Sequence, residues 1–437
     1  MRALSLRTRA IGGLALAASS ALVLAGCAAP ADDSGSDASG FVAAECAADS
    51  TSENTFKVGT LLPITGSLAF LGPPEIAGVG LAVADINAAG GVGGKDACQY
   101  DTDSGDSSDM SVSTASAEDL IAQKVSVVIG AASSSVSLNV VDSFTAAEIV
   151  QISPANTAAK LSGYSPFYFR VAPPDTVQGS ALGQLITGDG NSSVAFLVFN
   201  DAYGTGLRDS TQLSIEAAGG TVTYGGTGQG QEFPPAQTTF SSEVTAALAS
   251  SPDAVVVVAF DETKAIIPEL VAQGWDLSKT YFTDGNTASF EADFEPGTLE
   301  GAQGTIPGAA PTDDLKALLG QYWSDVQGEE LTDFSYAAES YDATVLAALA
   351  AVKGGDTLPT TIQANLAAVS GANGGTKCST YAECVELIDA GEEIQYQGPS
   401  AVGPFNDKND PSSAFIGIFK FNDVNVPVYV SSVEGKS

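Results

Sequence analysis

Along this chain, short unbroken apolar runs alternate with stretches whose apolar residues recur every three or four positions. Residues 56–62 form the first such run and read as a buried strand. Residues 75–88 carry Ile76, Val79, Val83 and Ile86 at helical spacing and stop at Gly90-Gly91. The pattern continues with predicted strands at 125–129, 150–152, 194–199, 254–259 and 281–282, and predicted helices at 134–147, 207–218 and 262–273. Further helices are expected over 313–319 and 336–352, and a closing hairpin joins 415–421 to 426–430 around Asn422-Asp423. Val255-Val256-Val257-Val258 has no polar face, as in strands of parallel sheets covered on both sides. Repeated βαβαβ units, broken near Pro173-Pro174, predict two α/β domains. Ligands of such sheets bind beyond the carboxyl ends of the strands, where strand order reverses. That rule directs attention to the loops after Leu62, Ile129, Ile152, Phe199, Ala259 and Phe282.

The N-terminus has a different texture. Arg2, Arg7 and Arg9 precede an apolar run over 11–25, interrupted by Gly12, Gly13, Ser19 and Ser20. The run falls short of the ~20 apolar residues that span a bilayer. It reads as the core of a signal peptide over 1–26. Leu24-Ala25-Gly26-Cys27 resembles the lipobox of bacterial lipoproteins, which implies that Cys27 is acylated and heads the mature chain. Residues 28–54 are rich in Ala, Asp, Ser and Gly and bury too little apolar surface to offset ordering entropy. Residues 27–55 are therefore expected to be the acylated cysteine and a flexible tether.

Charge narrows the partners. The chain has 17 Lys+Arg against 52 Asp+Glu, a net charge of −35, which repels nucleic acid and anionic headgroups. Membrane attachment then falls to lipid, and stable anchoring takes more than one acyl chain. There is no histidine, so the commonest general base and the commonest metal ligand are missing. The cysteines lack metal-ligand spacing, and no metal or cofactor is expected. Four cysteines follow Cys27, and in an exported chain they predict two disulfides. Cys378 with Cys384 is the most local pairing, leaving Cys46 with Cys98. Gly225-Gly226-Thr227-Gly228-Gln229-Gly230 lacks the order of a nucleotide loop and reads as a flexible turn. The acids are many, but no carboxylate pair sits in a recognisable catalytic motif, so an enzyme is not expected.

Five segments then point one way. Lys57-Val58-Gly59-Thr60-Leu61-Leu62-Pro63-Ile64-Thr65-Gly66 resembles the opening strand and loop of the leucine/isoleucine/valine-binding family of type I periplasmic binding proteins. The stretch from Gly78 to Gly91 resembles its first helix and exit. Val128–Ser135, Ile152-Ser153-Pro154-Ala155-Asn156-Thr157 and Tyr203-Gly204-Thr205-Gly206 match later landmarks in order. The resemblance implies two lobes, each a parallel sheet flanked by helices, joined by three hinge crossovers. These are expected near 172–174, 307–311 and 397–404. Lobe 1 would be 56–172 plus 308–396, and lobe 2 would be 173–307 plus 397–437.

The resemblance also implies an extracellular, lipid-anchored monomer that captures a small ligand for the permease of an ABC importer. The ligand would be an amino acid. Ser134 would hold its carboxylate at a helix start, where free N–H groups and the dipole favour an anion. Ala155 and Thr157 would make the second carboxylate contact, through backbone and hydroxyl. Tyr203 would cover the ligand from lobe 2, and Asp284 would meet the ammonium. Two positions depart from the family: Leu71 and Phe260 stand where tyrosines are common. Both changes remove hydroxyls and predict a drier pocket for an apolar side chain. They also leave open a relative that takes amides, urea or aromatic acids, or one that senses a ligand without transport.

Overall fold

The computed structural model describes residues 40–436; the signal sequence, Cys27 and the first part of the tether lie outside the described residues. The chain enters the first lobe through β1 (Phe56–Leu62), α1 (Gly72–Ala88), β2 (Ala97–Asp103), α2 (Met110–Ala122), β3 (Val127–Gly130), α3 (Ser134–Ala146), β4 (Gln151–Ser153) and β5 (Tyr168–Arg170). These strands form one parallel sheet in the order β2-β1-β3-β4-β5. Every residue of β1 is buried, including Lys57, whose amine reaches the Ser50 carbonyl at 3.1 Å and Gln123 Oε1 at 3.0 Å. A buried ammonium is tolerated only with such partners.

The chain then crosses to the second lobe. There it runs through α4 (Asp175–Gly188), β6 (Ser193–Val198), α5 (Ala202–Ala217), β7 (Thr221–Tyr224), α6 (Ser241–Ala249), β8 (Ala254–Val258), α7 (Thr263–Ala272), β9 (Thr280–Phe282) and β10 (Gln303–Pro307). It returns to the first lobe with α8 (Asp313–Gln327), α9 (Ala337–Gly354), α10 (Pro359–Val369), β11 (Thr376–Cys378), α11 (Tyr381–Asp389) and β12 (Ile394–Tyr396). It ends in the second lobe with β13 (Ser413–Phe421) and β14 (Pro427–Lys436). Three connections therefore join the lobes: 171–174, 308–312 and 397–412.

Alanine dominates α9, which is buried from Ala337 to Ala351. Small side chains let it lie close to α1: a Cβ at Gly78 would stand 2.2 Å from the Ala337 carbonyl oxygen. Glycine is the residue that fits there.

The structure refines three expectations. The second sheet, β14-β13-β10-β9-β8-β6-β7, is parallel only from β10 to β7. Its edge is the antiparallel hairpin β13–β14 paired to β10. Residues 40–55 are not a free tether. Cys46 N donates to the Gln99 carbonyl at 3.1 Å and Gln99 N to the Ala44 carbonyl at 2.8 Å, so this segment extends the sheet beside β2. Phe41 packs on Tyr322 with ring centroids 5.5 Å apart, and a disulfide joins Cys46 to Cys98. Edge pairing and a crosslink hold a segment whose own apolar content would not. Residues 397–412, assigned to lobe 2 from sequence, pack on the first: the Phe405 ring lies tilted against Phe169 with centroids 5.2 Å apart, and Asp410 pairs with buried Arg170 at 2.6 Å.

Candidate functional site

Strand order reverses between β1 and β3 in the first sheet and between β6 and β8 in the second. The loops beyond these strand ends face each other. Leu71, Ser134, Ala155, Thr157, Tyr203, Phe260 and Asp284, singled out from sequence, all line one buried cleft between them. Leu68, Ala132, Ser133, Gly285 and Tyr336 complete the lining. The cavity is about 20 Å³, room for about one water molecule. A larger, open cavity of about 400 Å³ lies behind the hinge, lined by Ile306, Pro307, Lys316, Glu339 and Phe419. Tyr336 lines both cavities, and Ser134, Thr157, Tyr203 and Asp284 line only the smaller one.

The first-lobe wall is built of donors. Gly130 closes β3 at φ +131°, with the Leu61 carbonyl 2.1 Å from where a Cβ would stand. Only glycine permits that turn, which delivers the chain to the start of α3. Ser133, not Ser134, is the N-cap, and its hydroxyl makes no capping bond. The first amides of α3 have no acceptor within the helix. Ser134 Oγ accepts from Ala158 N at 3.2 Å, which leaves its own proton to donate. The hydroxyls of Ser133 and Thr157 are buried and make no hydrogen bond of good geometry, although the Asp175 carboxylate lies close to that of Thr157. Hydroxyls and helix amides converging on one point suit an anion.

The second-lobe wall carries the acid. Asp284 follows β9 and is buried, and desolvation pushes its pKa up. Three donors act against that shift. Tyr203 Oη reaches Asp284 Oδ1 at 2.6 Å, Gln178 Nε2 reaches the same oxygen at 2.9 Å, and Tyr336 Oη reaches Oδ2 at 2.9 Å. The Tyr203 ring stacks on Phe260 with centroids 5.5 Å apart and planes 12° apart. Leu68, Leu71 and Phe260 supply the hydrocarbon between the two polar walls.

Sequence reasoning missed several contributors, Leu68 among them. Tyr336 comes from the loop before α9, with φ +59°, far from any post-strand loop. Ser133 was passed over for its neighbour. Gln178 and Asp175 lie on α4, whose mixture of small and polar residues gave no helical signal. Asp175 starts that helix, and its amide donates to the Thr157 carbonyl at 2.7 Å. Its carboxylate is fully buried and makes no hydrogen bond of good geometry. Burial first, then the charge of Asp284, raises its pKa well above the usual range. Among the described residues, no cluster of His, Cys, Asp or Glu is arranged to hold a metal ion.

Comparison with known proteins agrees with this fold. Residues 55–380 match the family described as periplasmic binding protein. The chemotactic signal transduction system substrate-binding protein BasB of Halobacterium salinarum is 27% identical over 362 residues, covering 78% of this chain and 81% of that protein. The branched-chain amino acid transporter substrate-binding protein LivJ of Streptococcus pneumoniae, solved with isoleucine, superposes with a TM-score of 0.68 at 23% identity. That match covers 88% of this chain and 100% of LivJ. An ABC-transporter solute-binding protein of R. palustris, solved with 4-hydroxybenzoate, gives 0.70 at 17% identity over 88% of this chain and 98% of its own.

Proposed function

The chain belongs to the periplasmic-binding-protein family, a family of binding proteins rather than enzymes, and on that premise we propose that it captures a free amino acid with an apolar side chain between its lobes. The juxtaposition across the cleft carries the reading. Unpartnered hydroxyls and helix amides face a buried carboxylate, with Leu68, Leu71 and Phe260 between them. The ligand carboxylate goes to Ser134, Thr157 and the first amides of α3 beside Ala155, and its ammonium to Asp284 beneath Tyr203. A buried charge is costly unless paired, so each end of a zwitterion needs one of these walls. The ligand then bridges the lobes and favours their closure, which is the differential affinity a population shift requires. Admission requires the lobes to part along the three connections.

One observation favours a second ligand class. Asp284 already accepts three hydrogen bonds, so an aromatic carboxylate without an ammonium would use the first wall alone. A thermal-shift screen of free amino acids, their amides and aromatic acids separates the two. Apolar amino acids are expected to raise the melting temperature; a ligand at 100 times its dissociation constant adds about 2.7 kcal/mol. A response confined to aromatic acids would overturn the amino-acid reading.

Delivery to the permease of an ABC importer, from an acylated Cys27 at the outer face of the membrane, belongs to the same proposal. The resemblance to BasB supports delivery to a chemotactic receptor as the alternative. Mass spectrometry of the mature chain should find acyl groups on Cys27, and an unmodified mature N-terminus would remove the anchor.

A further inference from the structure

We propose that Arg170 is a positioning residue. It holds the loop that presents Ala155 and Thr157, and through Asp410 it fastens that loop to the third connection between the lobes. The role in binding rests on reading this loop as the ligand's carboxylate site.

Arg170 ends β5 and is completely buried. A guanidinium away from water is tolerated only when its donors are met. Here each nitrogen of the fork has an acceptor. Nε donates to Asp410 Oδ1 at 2.6 Å and Nη2 to Ser162 Oγ at 2.6 Å. Nη1 donates to the Ala158 carbonyl at 3.0 Å and reaches the Asn156 carbonyl at 3.3 Å. Those two carbonyls flank Thr157, so this cleft-lining residue is held at both ends.

The support continues through Asn156. Its Nδ2 donates to the Ala132 carbonyl at 2.6 Å, and its Oδ1 accepts from Tyr168 Oη at 3.0 Å. The Ala132 carbonyl belongs to the turn that begins α3, so both donor loops are cross-linked and rest on Tyr168 and Arg170 of one strand. A lysine has no planar fork to serve these acceptors together. On the far side, Arg170 N donates to the Asn409 carbonyl at 3.3 Å, and Asn409 Nδ2 to the Tyr168 carbonyl at 3.1 Å. Asp410 lies three residues before β13, where the chain passes into the second lobe. One cation thus ties the anion loop to a connection along which the lobes must bend.

Hydrogen exchange on the full chain, without added ligand, tests this. In Asp410→Ala, peptides spanning 155–163 should exchange about tenfold faster or more, while β8 keeps wild-type protection. Asp410→Asn, which keeps the shape, should do the same to a smaller degree and serves if the alanine variant does not fold. Calorimetry with L-leucine and leucinamide supplies the second readout. The variants should lose leucine affinity about tenfold while leucinamide changes little, since only leucine uses the anion loop. Unchanged exchange over 155–163, or acceleration spread equally over both lobes, would overturn the proposal. If wild-type protein fails to bind leucine, the ligand reading is at fault, and the exchange data still decide the positioning role.

Discussion

Asp284→Ala is expected to weaken an apolar amino-acid ligand by about 30-fold to several thousand-fold. Truncating one partner of a buried charge pair costs about 2–5 kcal/mol, largely because the other charge stays buried and unpaired. Asp284 is also an acceptor for Tyr203, Gln178 and Tyr336; Tyr203 keeps Thr283 Oγ1 and Gln178 keeps Thr305, so its loss strands the buried Tyr336 hydroxyl as well. Thr157→Ala removes a single hydroxyl and should cost far less, about 1–3 kcal/mol if that hydroxyl meets the carboxylate. Calorimetry on the two variants gives the comparison. An Asp284→Ala protein that binds within about threefold of wild type would mean that the ligand carries no ammonium at this position.

The second large effect concerns stability. Removing the Cys46–Cys98 disulfide by a double serine substitution is expected to cost up to about 4 kcal/mol in the chain-entropy model, because 52 residues separate the cysteines. The Cys378–Cys384 bond spans a separation of 6, and the same model gives it about 2 kcal/mol. The first bond also pins the 40–55 segment beside β2, so its loss should open that segment to proteolysis before the core. Urea unfolding of the two double variants measures the difference. Equal midpoints for the 46/98 variant and wild type would show that edge pairing and the Phe41 contact suffice without the crosslink.

What was legible in the sequence was what burial writes into it. The aliphatic runs of β1 and β8 announce strands covered on both faces, and the first sheet follows from their alternation with helices. The cleft was legible because Ser134, Thr157, Tyr203, Phe260 and Asp284 each stand just past a strand, where the fold places ligands, and because the family resemblance picked them out. β2 went unread because an edge strand with the sequence Ala-Cys-Gln-Tyr-Asp-Thr-Asp has little apolar signal. Tyr336 reaches Asp284 from a loop 52 residues later in the chain, and no local pattern encodes that contact. Arg170 and Asp410 are 240 positions apart, so the packing of 397–412 on the first lobe depended on a pairing invisible to periodicity.

The central claim, that a zwitterion is held between a hydroxyl wall and a carboxylate wall, is tested most directly by calorimetry of the wild-type protein with three compounds. These are L-leucine, leucinamide, which lacks the carboxylate, and 4-methylpentanoate, which lacks the ammonium. One leucine should bind per chain, and each analogue should be weaker by about tenfold or more, because each leaves one buried wall unanswered. Binding of 4-methylpentanoate as tightly as leucine would contradict the account, since the charge of Asp284 would then have no part in holding the ligand.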